Sequence, residues 1–469
     1  MTDFPRRARR SFARGIKDVS NDLTNGPVAA HLRRQGIPMG LGLVAIISFD
    51  AVDLFFVSRL GDAPLAAISF TFPIIWLLSS IIIGFEAGAA SCVSRAIGSN
   101  DLSGARRQTT DTAALAGIVS LTLCCSGWFL IEPTFRLLGA TENLLPLIND
   151  YMSIWYLAGP VSAVTWTCLA SIRARGNTLL EGKIITLAAL LNAVLDPIFI
   201  FGLLGFPRLE IAGAALATLT ANTVVMLGTL YYLHTRLRVF ATPFTALANV
   251  TRSWSRMLQV GLPAMVTNAV VPVASGIAVA MVARYGVDAV AGFGVGVRVE
   301  PLALVAFYAL SAVTSPFMGQ NYAAGKFNRL AAARRVIGKF CLVYGLCVAA
   351  ALAAAAVPLT GLFSETDEIR TVATNYLWIM CISYGGYGVV MAMCAAFNGI
   401  GFPLPGLMIS LSRALLVFLP LAALGQWFIG LYGIFVAAAT SNLLLGTVAY
   451  IWFGRHMRRH EGGGRPVLD

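Results

Sequence analysis

The first residues able to do chemistry are charged side chains inside long apolar runs. Asp50 and Asp53 stand three apart in GIPMGLGLVAIISFDAVDLFFVSRLG and share a helix face. Asn192 and Asp196 stand four apart in LAALLNAVLDPIFIF, again on one face. Glu86 lies in IIIGFEAGAAS, Glu300 follows Arg298 by two residues in GVGVRVEP, and Arg413 occupies another apolar run. An aspartate at the centre of a membrane span costs roughly 2.5–3.5 kcal/mol on insertion scales, so a functional reading is the default for each. Burial disfavours the charged form of a carboxylate, and carboxylate and amide oxygens together can hold a proton or a desolvated Na+. Asp53, Asn192 and Asp196 are therefore expected to form one polar cluster whose acids titrate as a set. Asp50 is a secondary candidate, equally served by a hydrogen bond to Ser48 or to another helix. Glu86 is expected near a helix end and water. Arg298 and Glu300 face different ways and need separate partners, as in a structural ion pair or a gate. Arg413 either meets an acid or snorkels to the interface.

These side chains need helices that cross a bilayer. The chain has 469 residues, 57% hydrophobic and 12% charged, whereas soluble domains carry about 25% charged residues. A span needs about 20 apolar residues, and twelve such runs are expected near 36–58, 64–95, 110–131, 146–172, 183–204, 209–233, 260–282, 288–318, 336–357, 371–397, 404–424 and 430–454. Taking the breaks alternately from the N-terminal tail, one set holds 27 of the 34 Lys and Arg and the opposite set holds five. By the positive-inside rule both termini are cytoplasmic and the number of spans is even. The Arg-rich first 17 residues have no apolar stretch close behind them and are read as a basic arm contacting anionic lipid, not as a signal peptide or a nucleic-acid tail.

An offset of about 225 residues brings Gly36, Pro38, Gly61 and Ala66 onto Gly261, Pro263, Gly286 and Ala291, and an offset of 220 brings Gly213, Ala217, Thr220 and Asn222 onto Gly433, Ala437, Thr440 and Asn442. The expected architecture is an all-α polytopic membrane protein, its twelve transmembrane helices forming two six-helix lobes related by a parallel repeat. The expected divisions are a basic arm at 1–35, an N-lobe at 36–234, a linker at 235–259, a C-lobe at 260–454 and a tail at 455–469. Asp53 maps onto Ala278, Asp50 onto Ser275 and Asp196 onto Leu416, so the acids are confined to one half of a scaffold that stands without them in the other. Pro38 removes a backbone hydrogen bond 15 residues before Asp53 and can bend the first helix.

The remaining signals narrow the function by exclusion. All eight cysteines fall within apolar runs without ligand spacing, and the four histidines lie at run ends or in tails, which predicts neither a metal site nor disulfides. There is no Walker lysine motif, no GxSxG and no HExxH. A membrane-embedded enzyme is disfavoured, no cofactor is expected, and energy must come from an ion gradient or from a partner. Met265, Phe307, Tyr308, Met318, Tyr384, Tyr387, Met391, Met393 and Phe397 are mostly packing residues, with a subset available to line an adaptable cavity.

Pro38 with FDAVDLFFVSRLG, SRAIGSND, LNAVLDPIFIFG, AGAALAT, GVGVRVE and GQNYAAGKFNR, in that order over residues 33–455, resemble the multidrug and toxic compound extrusion (MATE) family, within it the DinF-like prokaryotic branch. The resemblance implies a secondary antiporter of the prokaryotic cytoplasmic membrane that expels amphipathic, often cationic compounds in exchange for H+ or Na+. It also implies that Asp53, Asn192, Asp196 and Thr218 make the first-lobe cation and proton site and that Pro38 is the bending proline. MVTNAVVPVAS and CISYGGYGVV lack the carboxylates of the NorM-like branch, which favours protons acting through the first lobe. The rivals are a Na+-coupled antiporter, a dedicated metabolite exporter and a lipid-linked oligosaccharide flippase; only Arg298 and Arg413 are available to a pyrophosphate. The expected partners are small amphipathic molecules and the bilayer, with the protein monomeric.

Overall fold

The computed structural model describes residues 22–241 and 247–461, and over these the chain is helical without strands. The first lobe comprises α1 (Val28–Ser58), α2 (Asp62–Gly98), α3 (Leu102–Phe129), the short α4 (Ile131–Leu137), α5 (Leu145–Ala174), α6 (Thr178–Phe201) and α7 (Glu210–Thr235). The second comprises α8 (Leu247–Val282), α9 (Val287–Ala323), α10 (Phe327–Gly361), α11 (Asp367–Cys381), α12 (Tyr384–Ile400), α13 (Pro403–Leu411), α14 (Phe418–Ile429) and α15 (Leu431–Glu461). Between α13 and α14 the chain makes a π-helical turn, Ser412–Val417, so that Pro403–Ile429 is one span.

Among the described residues, ten helical units are long and apolar enough to cross a membrane, and α11 with α12, bent by 55° at their junction, make an eleventh. The twelfth is α5, 30 residues long, which carries Asn149, Asp150 and several hydroxyls but is enclosed by α2, α3 and α7. α8 begins at Leu247, inside the stretch assigned from sequence to the linker, and α15 runs to Glu461, past the expected start of the tail. Both are polar continuations of apolar helices. Most of the basic arm, residues 1–21, and Pro243 of the linker lie outside the described residues.

The lobes meet through the first two spans of each: α2 packs on α8 and α9, and α1 packs on α9. The described ends of the chain lie together. His31 has its ring 6.3 Å from that of Phe317, and Tyr322 has its ring 6.5 Å from that of His460. Near this terminal end the contact is tight. The Ser91 hydroxyl donates to the Asn398 carbonyl at 2.5 Å, and Gln320 Nε2 donates to the Ala174 carbonyl at 2.7 Å. A strap of residues Asp22 to Gly26 crosses the seam: Leu23 is fully buried and its N–H donates to Gln320 Oε1 at 3.3 Å. Lys326 Nζ donates to the Thr24 carbonyl at 2.7 Å and Arg329 Nη2 to that of Leu23 at 2.9 Å. Toward the opposite end the lobes part. On α8, Val271, Pro272, Val273, Ser275 and Gly276 are all exposed, as are Ser48, Asp50, Ala51 and Val52 on α1. Three successive exposed residues on each helix, Val271 to Val273 and Asp50 to Val52, turn through about 200°, wider than one lipid-facing side, so a cleft opens at that end.

Candidate cation-coupling site

α1 and α6 approach backbone to backbone, which fixes the register of their acids. A Cβ at Gly182 would lie 2.5 Å from the Pro38 carbonyl oxygen, and one at Gly42 would lie 3.3 Å from the Gly182 Cα. Only glycine fits at 182 without displacing α1. α7 closes on α6 in the same way, since a Cβ at Gly213 would lie 2.6 Å from the Phe199 carbonyl.

This packing brings together the four residues singled out from sequence and motif. Asn192 Nδ2 donates to Thr218 Oγ1 at 3.3 Å, joining α6 to α7. One helical turn on, Asp196 is fully buried, and neither of its carboxylate oxygens has a hydrogen-bond partner among the described residues. The buried Oδ1 atoms of Asp53 and Asn192 are likewise unpartnered. Asp53, half-buried on α1, lies within electrostatic reach of Asp196. Tyr151 of α5, buried, feels Asp53, Asp196 and Asp50 together and was not singled out from sequence; a lone tyrosine at the start of a span gives no signal until α5 packs. Asp50 is exposed on α1, and among the described residues no hydrogen bond joins it to Ser48. Pro38 lies within one continuous helix 31 residues long. The arrangement gathers unpartnered oxygens from two helices, α1 and α6, beside the bond from Asn192 to α7, a donor set of the kind that can hold a cation or a proton.

The secondary candidates separate from this pocket. Glu86 is not at a wet helix end: its Oε2 is 3.0 Å from Arg173 Nη2, while Arg173 Nη1 is 2.6 Å from Glu181 Oε1. This buried triad joins α2, α5 and α6, and Glu181 was missed because it stands at the edge of its apolar run. Arg298 and Glu300 form no ion pair. Arg298 is exposed without a described partner, whereas Glu300 Oε2 accepts from the Tyr376 hydroxyl at 3.3 Å. Arg413 neither snorkels nor meets an acid within 4 Å; its Nη1 donates to Asn442 Oδ1 at 3.1 Å and its guanidinium lies 4.6 Å over the Tyr387 ring. Among the described residues no group of three His, Cys, Asp or Glu side chains is placed to hold a metal ion.

A family model described as MatE matches residues 38–198 and 263–424, one segment in each lobe and together well over half of the chain. The chain belongs to the MATE family. MATE proteins are transporters, and both the fold and the relatives accord with that. The FAD transporter of Shewanella oneidensis is 37% identical over 428 residues, 91% of this chain and 95% of that protein. The multidrug export protein MepA of Staphylococcus aureus is 24% identical over 81% of each chain. The crystal structure of the Vibrio cholerae MATE transporter VcmN in its bent form superposes with a TM-score of 0.87 at 30% identity, covering 92% of this chain and 97% of that one. The two-lobe, twelve-helix architecture of MATE proteins is thus the architecture here.

Proposed function

We propose that this MATE protein is a secondary active exporter that couples outward movement of an amphipathic organic compound to inward movement of H+ through Asp53 and Asp196. The observation that carries this reading is the fully buried Asp196 carboxylate with neither oxygen bonded to protein, beside a second acid. A buried polar group without a partner is costly, and a buried charge more so. Taking up a cation removes that cost, which makes occupancy of the pocket a natural switch. The distribution of basic breaks puts the terminal end in the cytoplasm, so the cleft faces outward. A proton entering from outside neutralises the acids, α1 bends at Pro38, the pocket closes, and release of cargo is favoured; loss of the proton to the cytoplasm resets the cycle. Each charge crossing the membrane potential supplies about 2.3 kcal/mol per 100 mV.

The relatives guide the cargo. The one named an FAD transporter is 37% identical, against 24% for MepA, which favours an aromatic compound bearing phosphate over the cationic drugs expected from the family resemblance. Multidrug export is the second reading, carried by the MepA relative. Na+ is the alternative coupling ion, since the same oxygens suit it. On this reading the protein works in a prokaryotic cytoplasmic membrane as a monomer of the DinF-like branch.

The test is transport of FAD and of ethidium in proteoliposomes under separately imposed H+ and Na+ gradients. Driven transport that requires the H+ gradient and falls at least tenfold in Asp53→Asn and Asp196→Asn is expected. Parental rates in both variants would sink the proposal.

A further inference from the structure

Among the described residues the second lobe has no pocket of unpartnered acids, yet it holds two arginines at membrane depth and two interruptions of helix geometry that converge on one of them. Arg413 sits in the π-helical turn Ser412–Val417, and Ser383 lies at the 55° break between α11 and α12. Asn442 of α15 joins the two: its Oδ1 accepts from Arg413 Nη1 at 3.1 Å and its Nδ2 donates to Ser383 Oγ at 3.1 Å. Irregular backbone at membrane depth survives where it is enclosed by protein or lines a cavity, and π turns recur at functional sites.

The chemistry gathered there is cationic and aromatic. No carboxylate lies within 4 Å of Arg413, and its buried Nε–H has no partner among the described residues. Its guanidinium covers Tyr387, and its charge acts on Tyr308 and on Glu300. Tyr308 is 36% exposed, and the fully buried Tyr384 has an unpartnered hydroxyl.

Arg298 belongs to the same wall. Ala309 follows it by eleven residues on α9, about three helical turns, so the two share a face. Ala309 meets the first lobe, where a Cβ at Gly40 of α1 would lie 3.7 Å from its own. Arg298 therefore points toward the first lobe, at the height where the lobes have parted, and its exposure is to the cleft; facing lipid it would be far costlier. From Arg298 to Tyr308 the wall is about 15 Å long. It carries two guanidinium groups against the single carboxylate of Glu300, which is engaged by Tyr376. The opposite wall carries Asp50 and Asp53. The two sides of the cleft have opposite charge.

We propose that Arg298 and Arg413, with Tyr308 and Tyr387, form the second-lobe site that binds the phosphate and ring of an aromatic phosphoester cargo. Guanidinium groups pair with phosphate through paired N–H donors, and tyrosine faces take a flat ring. The proposal rests on the exporter reading above and assigns its cargo site to the lobe that does not carry the coupling acids.

The full-length protein in detergent, titrated with FAD and with riboflavin, the same ring without phosphate, tests binding apart from transport. The native protein is expected to bind FAD at least tenfold more tightly than riboflavin. Arg298→Gln and Arg413→Lys are each expected to lower that ratio about tenfold, since each loses a charge-assisted contact or its bidentate form. Arg413→Lys keeps the charge inside the lobe, and a folded elution profile with an unchanged FAD-to-riboflavin ratio in both variants would overturn the proposal. So would equal affinity of the native protein for the two flavins. Failure of the exporter reading has a different signature, namely the FAD preference with no gradient-driven transport in proteoliposomes.

Discussion

Arg173 holds Glu86 and Glu181 across three helices, and it is 5% exposed. Removing the one cation from a buried group of three charges leaves two carboxylates facing each other, which costs about 3–5 kcal/mol. Arg173→Met is expected to lower the unfolding midpoint in detergent sharply, and adding Glu86→Gln with Glu181→Gln is expected to recover most of the loss. A single variant as stable as the parent would mean that the triad contributes nothing. Asp53 and Asp196 could be singled out from sequence because an acid in an apolar run announces itself, and because the duplicated half, with Leu416 at the position equivalent to Asp196, does without the charge. Glu181 stood at the margin of a run, where an acid looks solvated, and only the packing of α5 and α6 shows it to be buried. Tyr151 had no signal at all, since its role depends on which helix it faces.

At the scale of elements, the contact between α1 and α6 depends on the absence of one side chain. A Cβ at Gly182 would press on the Pro38 carbonyl, where α1 already lacks a hydrogen bond. Gly182→Ala is expected to push α1 away from Asp196 and to reduce transport at least tenfold while the protein still folds. Pro38→Ala is expected to restore the missing hydrogen bond, stiffen α1 and reduce the maximal rate more than the apparent affinity. Initial rates in proteoliposomes against cargo concentration check both; parental rates in Gly182→Ala would show that α1 needs no such contact. The helices themselves could be read from apolar run length, and their pairing in two lobes from the repeat. The π turn at Arg413 and the break at Ser383 could not, because neither needs a proline or a particular spacing. They arise where α15 packs and Asn442 bridges them.

At the scale of the molecule, closure of the terminal end is shared between the lobe seam and the strap. Gln320 joins them, accepting from Leu23 N–H and donating to the Ala174 carbonyl. Replacing it leaves two buried backbone groups unpaired, each costing about 1–3 kcal/mol. Gln320→Ala is expected to shift the lobes toward the arrangement open at the terminal end. Spin labels at Asn100→Cys and Asn328→Cys would report a longer distance population, and an unchanged distribution would show that the strap does not bias the lobes. Asp22 anchors the strap's first turn. Partial burial opposes its charge, but hydrogen bonds from Thr24 and Asn25 and the Lys326 charge outweigh it and hold its carboxyl below its usual value. A carboxyl depressed by folding supports the folded arrangement above its unfolded value and loses that support as pH falls through the lowered one, so the strap is expected to stay docked at neutral pH. The strap also has an order in time. Its partners from Gln320 to Arg329 follow it by 297 to 306 residues, which at the usual pace of translation is tens of seconds. Through that interval the first lobe sits in the membrane with Leu23 uncovered, and no seal exists at that end until the second lobe has been threaded in. Closure of the terminal end thus waits on α9 and the start of α10, and a nascent chain halted before α10 is expected to be a leaky or chaperone-held half rather than a small transporter.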